Sequence, residues 1–219
     1  MNPATPLPPV KLSSPATHEF WELPVLHEDA RLLALAKPPR LLTSPDRYDP
    51  ERPNLMRLLH EAVAAGQPWA AARGLSYLAN VHRLDFETSG VLLLAKDKPA
   101  LVQLAAQFGA GKPHKTYLAL VRGNPGEDQF QVDLRLKPDP RLPGRMRWGL
   151  DGKKSLTEFT VLERFRGASL VACRPHTGRT HQIRVHLRAA DHPIFGDDFY
   201  GDGVRLFLSK FKRDFRLKP

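Results

Sequence analysis

The sequence predicts an α+β fold with a mixed, largely antiparallel sheet flanked by helices. Three observations carry that expectation. Apolar residues recur at helical spacing around residues 55–65, 98–108 and 180–190. Between residues 116 and 174 the period changes to two, in short runs parted by Gly and Pro. Strand and helix signals do not alternate as regular βαβ units, which argues against a doubly wound sheet.

Taken in order, residues 1–18 hold five prolines and a single charged side chain, Lys11, and are expected to be a flexible proline-rich arm. The fold is expected to begin near Trp21. Val25–His27 and Leu32–Ala36 are expected strands across a turn at Glu28-Asp29-Ala30, and Lys37-Pro38-Pro39 ends the second, because proline has no ladder donor. Asn54 is the expected N-cap of a helix over 55–65, with Leu55, Leu58, Leu59 and Ala62 on one face and Gly66 ending it. Val91–Ala95 is a buried strand, and Lys98–Phe108 a helix that Gly109 and Gly111 stop. Strands follow over 116–121, 129–136, 156–163 and 168–174, then a last helix over 180–190 with Thr180 as its cap. A length of 219 residues favours one core.

Composition narrows the classes. No run approaches the roughly 20 apolar residues that a membrane span needs. No basic segment followed by an apolar stretch marks a secretory signal. The single cysteine, Cys173, cannot form an internal disulfide and is expected as a buried strand thiol, which fits a cytoplasmic protein. Against 23 acids stand 33 Lys and Arg, for a net charge of +10. The excess is clustered: residues 174–188 carry four arginines, three histidines and no acid, residues 135–154 seven basic residues and two acids, and residues 205–219 six basic residues and one acid. Clustered positive charge favours a polyanionic partner over mere solubility.

Two segments can carry chemistry. In His82-Arg83-Leu84-Asp85-Phe86-Glu87-Thr88-Ser89-Gly90, Asp85 lies between a short apolar run and a Ser-Gly turn. A carboxylate there can be a nucleophile, a base or a ligand, or it can merely cap local amides. In Arg174–Arg188, Thr177-Gly178 is a turn. The helix N-terminus beside Arg179 is an expected phosphate seat. His181, Arg184 and Arg188 share one helix face, and Ile183 and Leu187 pack on another. His176, His181 and His186 are five residues apart, a spacing that suits neither a helix face nor a strand face, so no metal site is expected. No nucleotide loop or H-E-x-x-H motif is present, and no cofactor is expected. Tyr117 in Lys115–Val121 is either a base-stacking ring or a half-buried strand tyrosine.

At these residues the sequence resembles the RluA-type family of RNA pseudouridine synthases. Its H-R-L-D-x-x-T-S-G pattern is matched by His82–Gly90 and its T-G-R-x-H-Q-[IL]-R-x-H pattern by Thr177–His186. Lys115-Thr116-Tyr117 matches K-x-Y, Leu33–Pro38 resembles the early strand-Lys-Pro element, and His192–Asp197 with Tyr200-Gly201 follows in family order. The resemblance implies a pseudouridine-synthase catalytic fold, with the active-site cleft across the sheet, over residues 19–219. It also implies isomerisation of specific uridines in structured RNA, ribosomal or transfer, with no cofactor and no metal. Asp85 is implied as the carboxylate that attacks the uridine, as nucleophile or as base. Tyr117 packs on the target base and Arg184 pairs with Asp85, holding it ionised and aimed. Ile183 lines the apolar wall, and Arg83 enters the space left by the flipped nucleotide. His82, Arg179, His181 and Arg188 are the further expected RNA contacts. A monomer is expected. Set against the family pattern, no S4-type RNA-binding domain is expected ahead of the catalytic domain, and the strands with an L-H-A segment that follow G-D-x-x-Y-G are expected to be missing. The expectation is a shortened enzyme or a truncated chain. The competing readings are an inactive RNA-binding module or chaperone on the same fold and, from charge alone, a DNA-binding regulator.

Overall fold

The structure, a computed structural model, describes residues 7–201 and 203. The basic run at 205–219 lies outside the described residues. The described residues fall into two compact units, divided between Pro113 and His114.

In the first unit, β1 (Val10–Ser14) pairs antiparallel with β2 (Glu19–Leu23). Part of the expected flexible arm is therefore ordered strand. Val10, Leu12 and Ser14 alternate inward, and a side chain every second residue suffices to anchor an edge hairpin. Composition hid this, because prolines at 3, 6, 8, 9 and 15 flank the strand without entering it. The strands β3 (Val25–Glu28) and β4 (Leu32–Lys37) form as expected. Helix α1 (Leu55–Ala64) starts where Asn54 accepts a hydrogen bond from the Arg57 amide at 3.0 Å, the expected cap. A short helix, α2 (Pro68–Ala71), precedes β5 (Ala79–Asn80) and β6 (Gly90–Ala95). Helix α3 (Lys98–Gly109) is capped by Asp97, which accepts from the Ala100 amide at 2.6 Å. Its expected apolar face is only half-covered: Leu101, Leu104 and Phe108 are partly buried and Ala105 is exposed. The sheet runs β3-β4-β6-β5, all antiparallel. Leu33, Leu35, Leu92 and Leu94 pack there with Leu41, Leu55 and Leu59 in one core. At about 25 cal/mol per Å² of apolar surface removed from water, this burial is the main term holding the unit together.

The second unit is a five-stranded antiparallel sheet in the order β7-β11-β10-β8-β9. Its strands are β7 (Tyr117–Arg122), β8 (Gln129–Pro138), β9 (Met146–Trp148), β10 (Lys153–Phe165) and β11 (Ala168–Pro175). Helix α4 (Gln182–Ala189) lies on this sheet and buries Val185, His186 and Leu187. The core holds Ala119, Val121, Phe159, Val171, Cys173 and Leu187. Cys173 is the buried thiol expected, and burial pushes its pKa up to about 12, so it stays an unreactive thiol. Among the described residues, no helix is long and apolar enough to cross a membrane.

Candidate active site

Each unit presents one part of the expected chemistry. In the first, Asp85 sits in the segment between β5 and β6, which has neither helix nor strand of its own. Its position is inherited from neighbours. Leu84 is buried, and both of its backbone polar groups meet the Thr43 hydroxyl. The Leu84 N–H donates to Thr43 Oγ1 at 3.1 Å, and that hydroxyl donates to the Leu84 carbonyl at 2.9 Å. On the other side, the Phe86 carbonyl accepts from the Arg40 amide at 2.7 Å. The Arg52 guanidinium covers the Phe86 ring at 3.8 Å, a cation–π contact. The Asp85 carbonyl accepts from the Thr88 amide at 3.1 Å, closing the turn. Gly90 then opens β6 at φ 132°, a backbone angle that any side chain would strain.

His82 works within this unit. Its Nε2 accepts from the Leu93 amide at 3.2 Å, and its ring stacks on Phe108 at 5.2 Å, so it fastens the loop to β6 and α3. Arg83 beside it is exposed. A neighbour that sequence reasoning left without a role is Lys37. It is fully buried, and its Nζ donates to the carbonyls of Pro38 at 2.8 Å and Leu41 at 2.6 Å. Burial pulls its pKa down to about 8, against an upward pull from the carboxylates of Asp85 and Glu87. The signal was present in the sequence as a lysine closing the apolar run Leu32–Ala36.

In the second unit, Tyr117 opens β7 opposite Cys173, and it packs with Ile183 against the same buried cluster. Arg184 is held by Asp197, which the sequence analysis placed in a motif without giving it a function. Arg184 Nε donates to Asp197 Oδ2 at 2.7 Å and Nη2 to Oδ1 at 2.8 Å, a bidentate pair. Asp197 also accepts from the amides of Phe199 at 2.9 Å and Tyr200 at 3.0 Å. Burial alone would raise its pKa, but the Arg184 guanidinium and these amides outweigh that and hold the carboxyl below its ordinary range. The guanidinium lies 5.0 Å from the Tyr200 ring centre and 5.5 Å from that of Phe199, which limits its swing. The Tyr200 hydroxyl accepts from the Met146 amide at 2.7 Å and shares a 2.7 Å hydrogen bond with His181 Nδ1.

The start of α4 differs from expectation. Its cap is His181, in the left-handed region at φ 54°, not Thr180, and no side chain caps the helix. Gln182 takes over. Its Oε1 accepts from the Thr177 hydroxyl at 2.7 Å and the Arg179 amide at 3.0 Å. Its Nε2 donates to the Leu156 carbonyl at 3.0 Å and Thr157 Oγ1 at 2.9 Å. The Gln182 amide in turn donates to the Arg179 carbonyl at 3.1 Å. Two amides expected to seat a phosphate are therefore engaged within the protein. A long amide side chain reaching a neighbouring strand outcompetes a local hydroxyl cap here, because one buried side chain makes four hydrogen bonds at once. The Arg179 side chain is exposed, with Nε donating to the Lys154 carbonyl at 3.1 Å, and Arg188 is exposed.

The three histidines of this segment face different partners: His176 meets Glu158 at 3.0 Å, His181 meets Tyr200, and His186 meets Ser155 at 2.8 Å. His186 is fully buried. Ser155 gives its own proton to the Leu134 carbonyl, so His186 Nε2 is the donor, and the lowered pKa keeps the imidazole neutral near pH 7. Burial pushes its pKa from 6.5 down to about 4, against a weaker upward pull from Asp133. Between those values the unfolded chain binds more protons than the folded one. This contribution is therefore whole above pH 6.5 and is lost as the pH falls toward 4. Denaturant titrations should show a loss of about 2 kcal/mol by pH 4.5 from this group, absent in His186→Leu once both are referred to pH 7.

The family described as RNA pseudouridylate synthase matches residues 31–189. The chain is 35% identical over 193 residues to the dual-specificity RNA pseudouridine synthase RluA of Salmonella typhi, across 87% of this chain and 82% of that protein. It is 36% identical over 190 residues to the ribosomal large subunit pseudouridine synthase D of Xylella fastidiosa. That match takes in 84% of this chain but 53% of the relative, so the chain spans about half of that protein's length. The solved structure of human RNA pseudouridylate synthase domain containing 1 aligns with a TM-score of 0.65 at 30% identity, over 83% of this chain and 70% of that one. Since the matched stretch takes in Asp85, Tyr117 and Arg184, and relatives named for RluA align over most of both chains, this chain belongs to the RNA pseudouridylate synthase family of RNA-modifying isomerases, in its RluA-type branch.

Proposed function

We propose that this protein isomerises specific uridines of structured RNA, ribosomal or transfer, to pseudouridine. The observation that carries the proposal is the fixing of Leu84 and Phe86 by hydrogen bonds to their backbone on either side of Asp85. Catalysis requires a reacting group held in place before substrate arrives. In this reading the target base leaves its stack, at a cost of a few kcal/mol repaid by contacts to the flipped base. Asp85 supplies the carboxylate for cleavage of the C1′–N1 bond, as nucleophile or as the base that starts glycal formation. The base turns and C1′ bonds to C5, whose proton is then removed. Tyr117 and Ile183 meet the base, Arg184 is the guanidinium partner of the reacting carboxylate, and Arg83 fills the vacated stack. His82 holds the loop that carries Arg83 and Asp85. Arg179, His181 and Arg188 serve the RNA backbone. The reaction uses no metal or cofactor, and the protein acts as a cytoplasmic monomer.

The direct test incubates the purified protein with unmodified transcripts of ribosomal and transfer RNA and maps pseudouridine at nucleotide resolution. New pseudouridine at discrete positions is the expected result. RNA binding with no isomerisation of any transcript would favour the inactive binding module instead.

The two arginines of α4 separate chemistry from affinity. Arg188→Ala is expected to weaken RNA binding and lower the slope of log affinity against log salt by about one, with kcat unchanged. Arg184→Ala is expected to cost kcat far more than affinity. Fluorescence anisotropy across a salt series, with single-turnover rates, reads both.

A further inference from the structure

Asp85 lies in a segment without regular structure, so beyond the Thr88 turn bond its setting depends on contacts from outside that segment. The residue best placed to set it is Thr43. It is 2% exposed, it lies 41 residues from Leu84 in sequence, and its hydroxyl makes both hydrogen bonds to Leu84. One of those bonds is to the Leu84 carbonyl, which belongs to the peptide unit leading into Asp85. Holding that unit fixes the plane from which the Asp85 side chain departs.

Thr43 is itself well braced. Its carbonyl accepts from the Met56 amide at 3.1 Å, and the Leu42 carbonyl accepts from the Leu55 amide at 2.8 Å, tying this segment to the first turn of α1. The Leu41 carbonyl is bound by the buried Lys37 ammonium. Arg40, at φ 61°, reaches across to the Phe86 carbonyl from the same stretch. Residues 37–43 therefore form a hydrogen-bonded bed beside residues 84–86, and the Thr43 hydroxyl is a side-chain link between them.

Resting on the reading of Asp85 given above, we propose that Thr43 is a positioning residue for the reaction, aiming Asp85 through the Leu84 peptide without touching substrate. A displacement near 1 Å at a reacting group can cost about a hundredfold in rate. Valine matches threonine in shape but offers neither bond, whereas serine keeps the hydroxyl.

The test compares Thr43→Val, Thr43→Ser and Asp85→Asn with the wild type in steady-state isomerisation, with thermal melts alongside. Thr43→Val is expected to lower kcat by about 10- to 100-fold with KM within about twofold, and Thr43→Ser to restore kcat to within about threefold of wild type. A Thr43→Val enzyme with wild-type kcat overturns the proposal, as does a Thr43→Ser enzyme slowed tenfold or more. If Thr43→Val does not fold, the serine variant decides by that same threshold. If Asp85→Asn stays active, the reading of Asp85 falls instead, so the two failures are told apart.

Discussion

Asp85→Asn is expected to abolish pseudouridine formation, lowering kcat by at least about 10⁴-fold, the scale seen when a reacting side chain is removed. The substitution keeps the shape of the side chain and removes its negative charge. The neighbouring anchors are backbone bonds of Leu84 and Phe86, which the new amide leaves intact. The fold and the RNA affinity should therefore survive, with the melting temperature close to wild type and the dissociation constant within a few-fold. Asp85→Glu should fail almost as badly, because one more methylene carries the carboxylate about 1 Å from the position its bed sets, and that displacement alone costs about a hundredfold. Single-turnover assays on an RNA that the wild type modifies check both. An Asp85→Asn enzyme retaining a tenth of wild-type activity would remove the carboxylate from the mechanism.

Asp197→Ala is expected to give the largest loss of stability, about 3 kcal/mol, together with loss of activity. The carboxylate is almost wholly buried and accepts four hydrogen bonds, two from Arg184 and one each from the Phe199 and Tyr200 amides. Deleting it leaves those amides without this acceptor and the Arg184 guanidinium without the pair that sets its fork. Replacing one member of a buried pair costs more than the pair contributes, because the remaining charge was desolvated on the strength of its partner. Asp197→Asn should be milder in stability, since one oxygen still accepts, but it loses the bidentate geometry and so should still lower kcat. Denaturant unfolding with an activity assay at a temperature where both variants are folded separates the two effects. Unchanged unfolding free energy in Asp197→Ala would show that the pair is energetically idle.

Much of the first unit could be drawn from spacing alone. The α1 face of Leu55, Leu58 and Leu59, the Asn54 cap and the paired runs at 25–28 and 32–37 are local patterns, and local hydrogen bonds realise them. The hairpin at 10–23 escaped notice because prolines on its flanks outweighed an inward alternation of only three residues. The edge strand β9 is three residues long and owes its existence to β8 beside it, so no period could announce it. The division into two units reflects how the strands pair, which composition does not encode.

The candidate site divides in the same way. Asp85, Tyr117 and Arg184 could be proposed from the sequence because each lies in a short motif that resembles the family's, at His82–Gly90, Lys115–Tyr117 and Thr177–His186. Their supports were not. The contacts of Thr43 with Leu84, Arg40 with Phe86 and Gln182 with Leu156 join residues far apart in sequence, and each is a polar group finding its partner across the fold. The candidates for the reaction were thus named by local order. Which groups hold them still was settled only when the folded backbone brought distant donors and acceptors within hydrogen-bonding reach and excluded water from between them, since a buried polar group left without a partner costs far more than a bond returns.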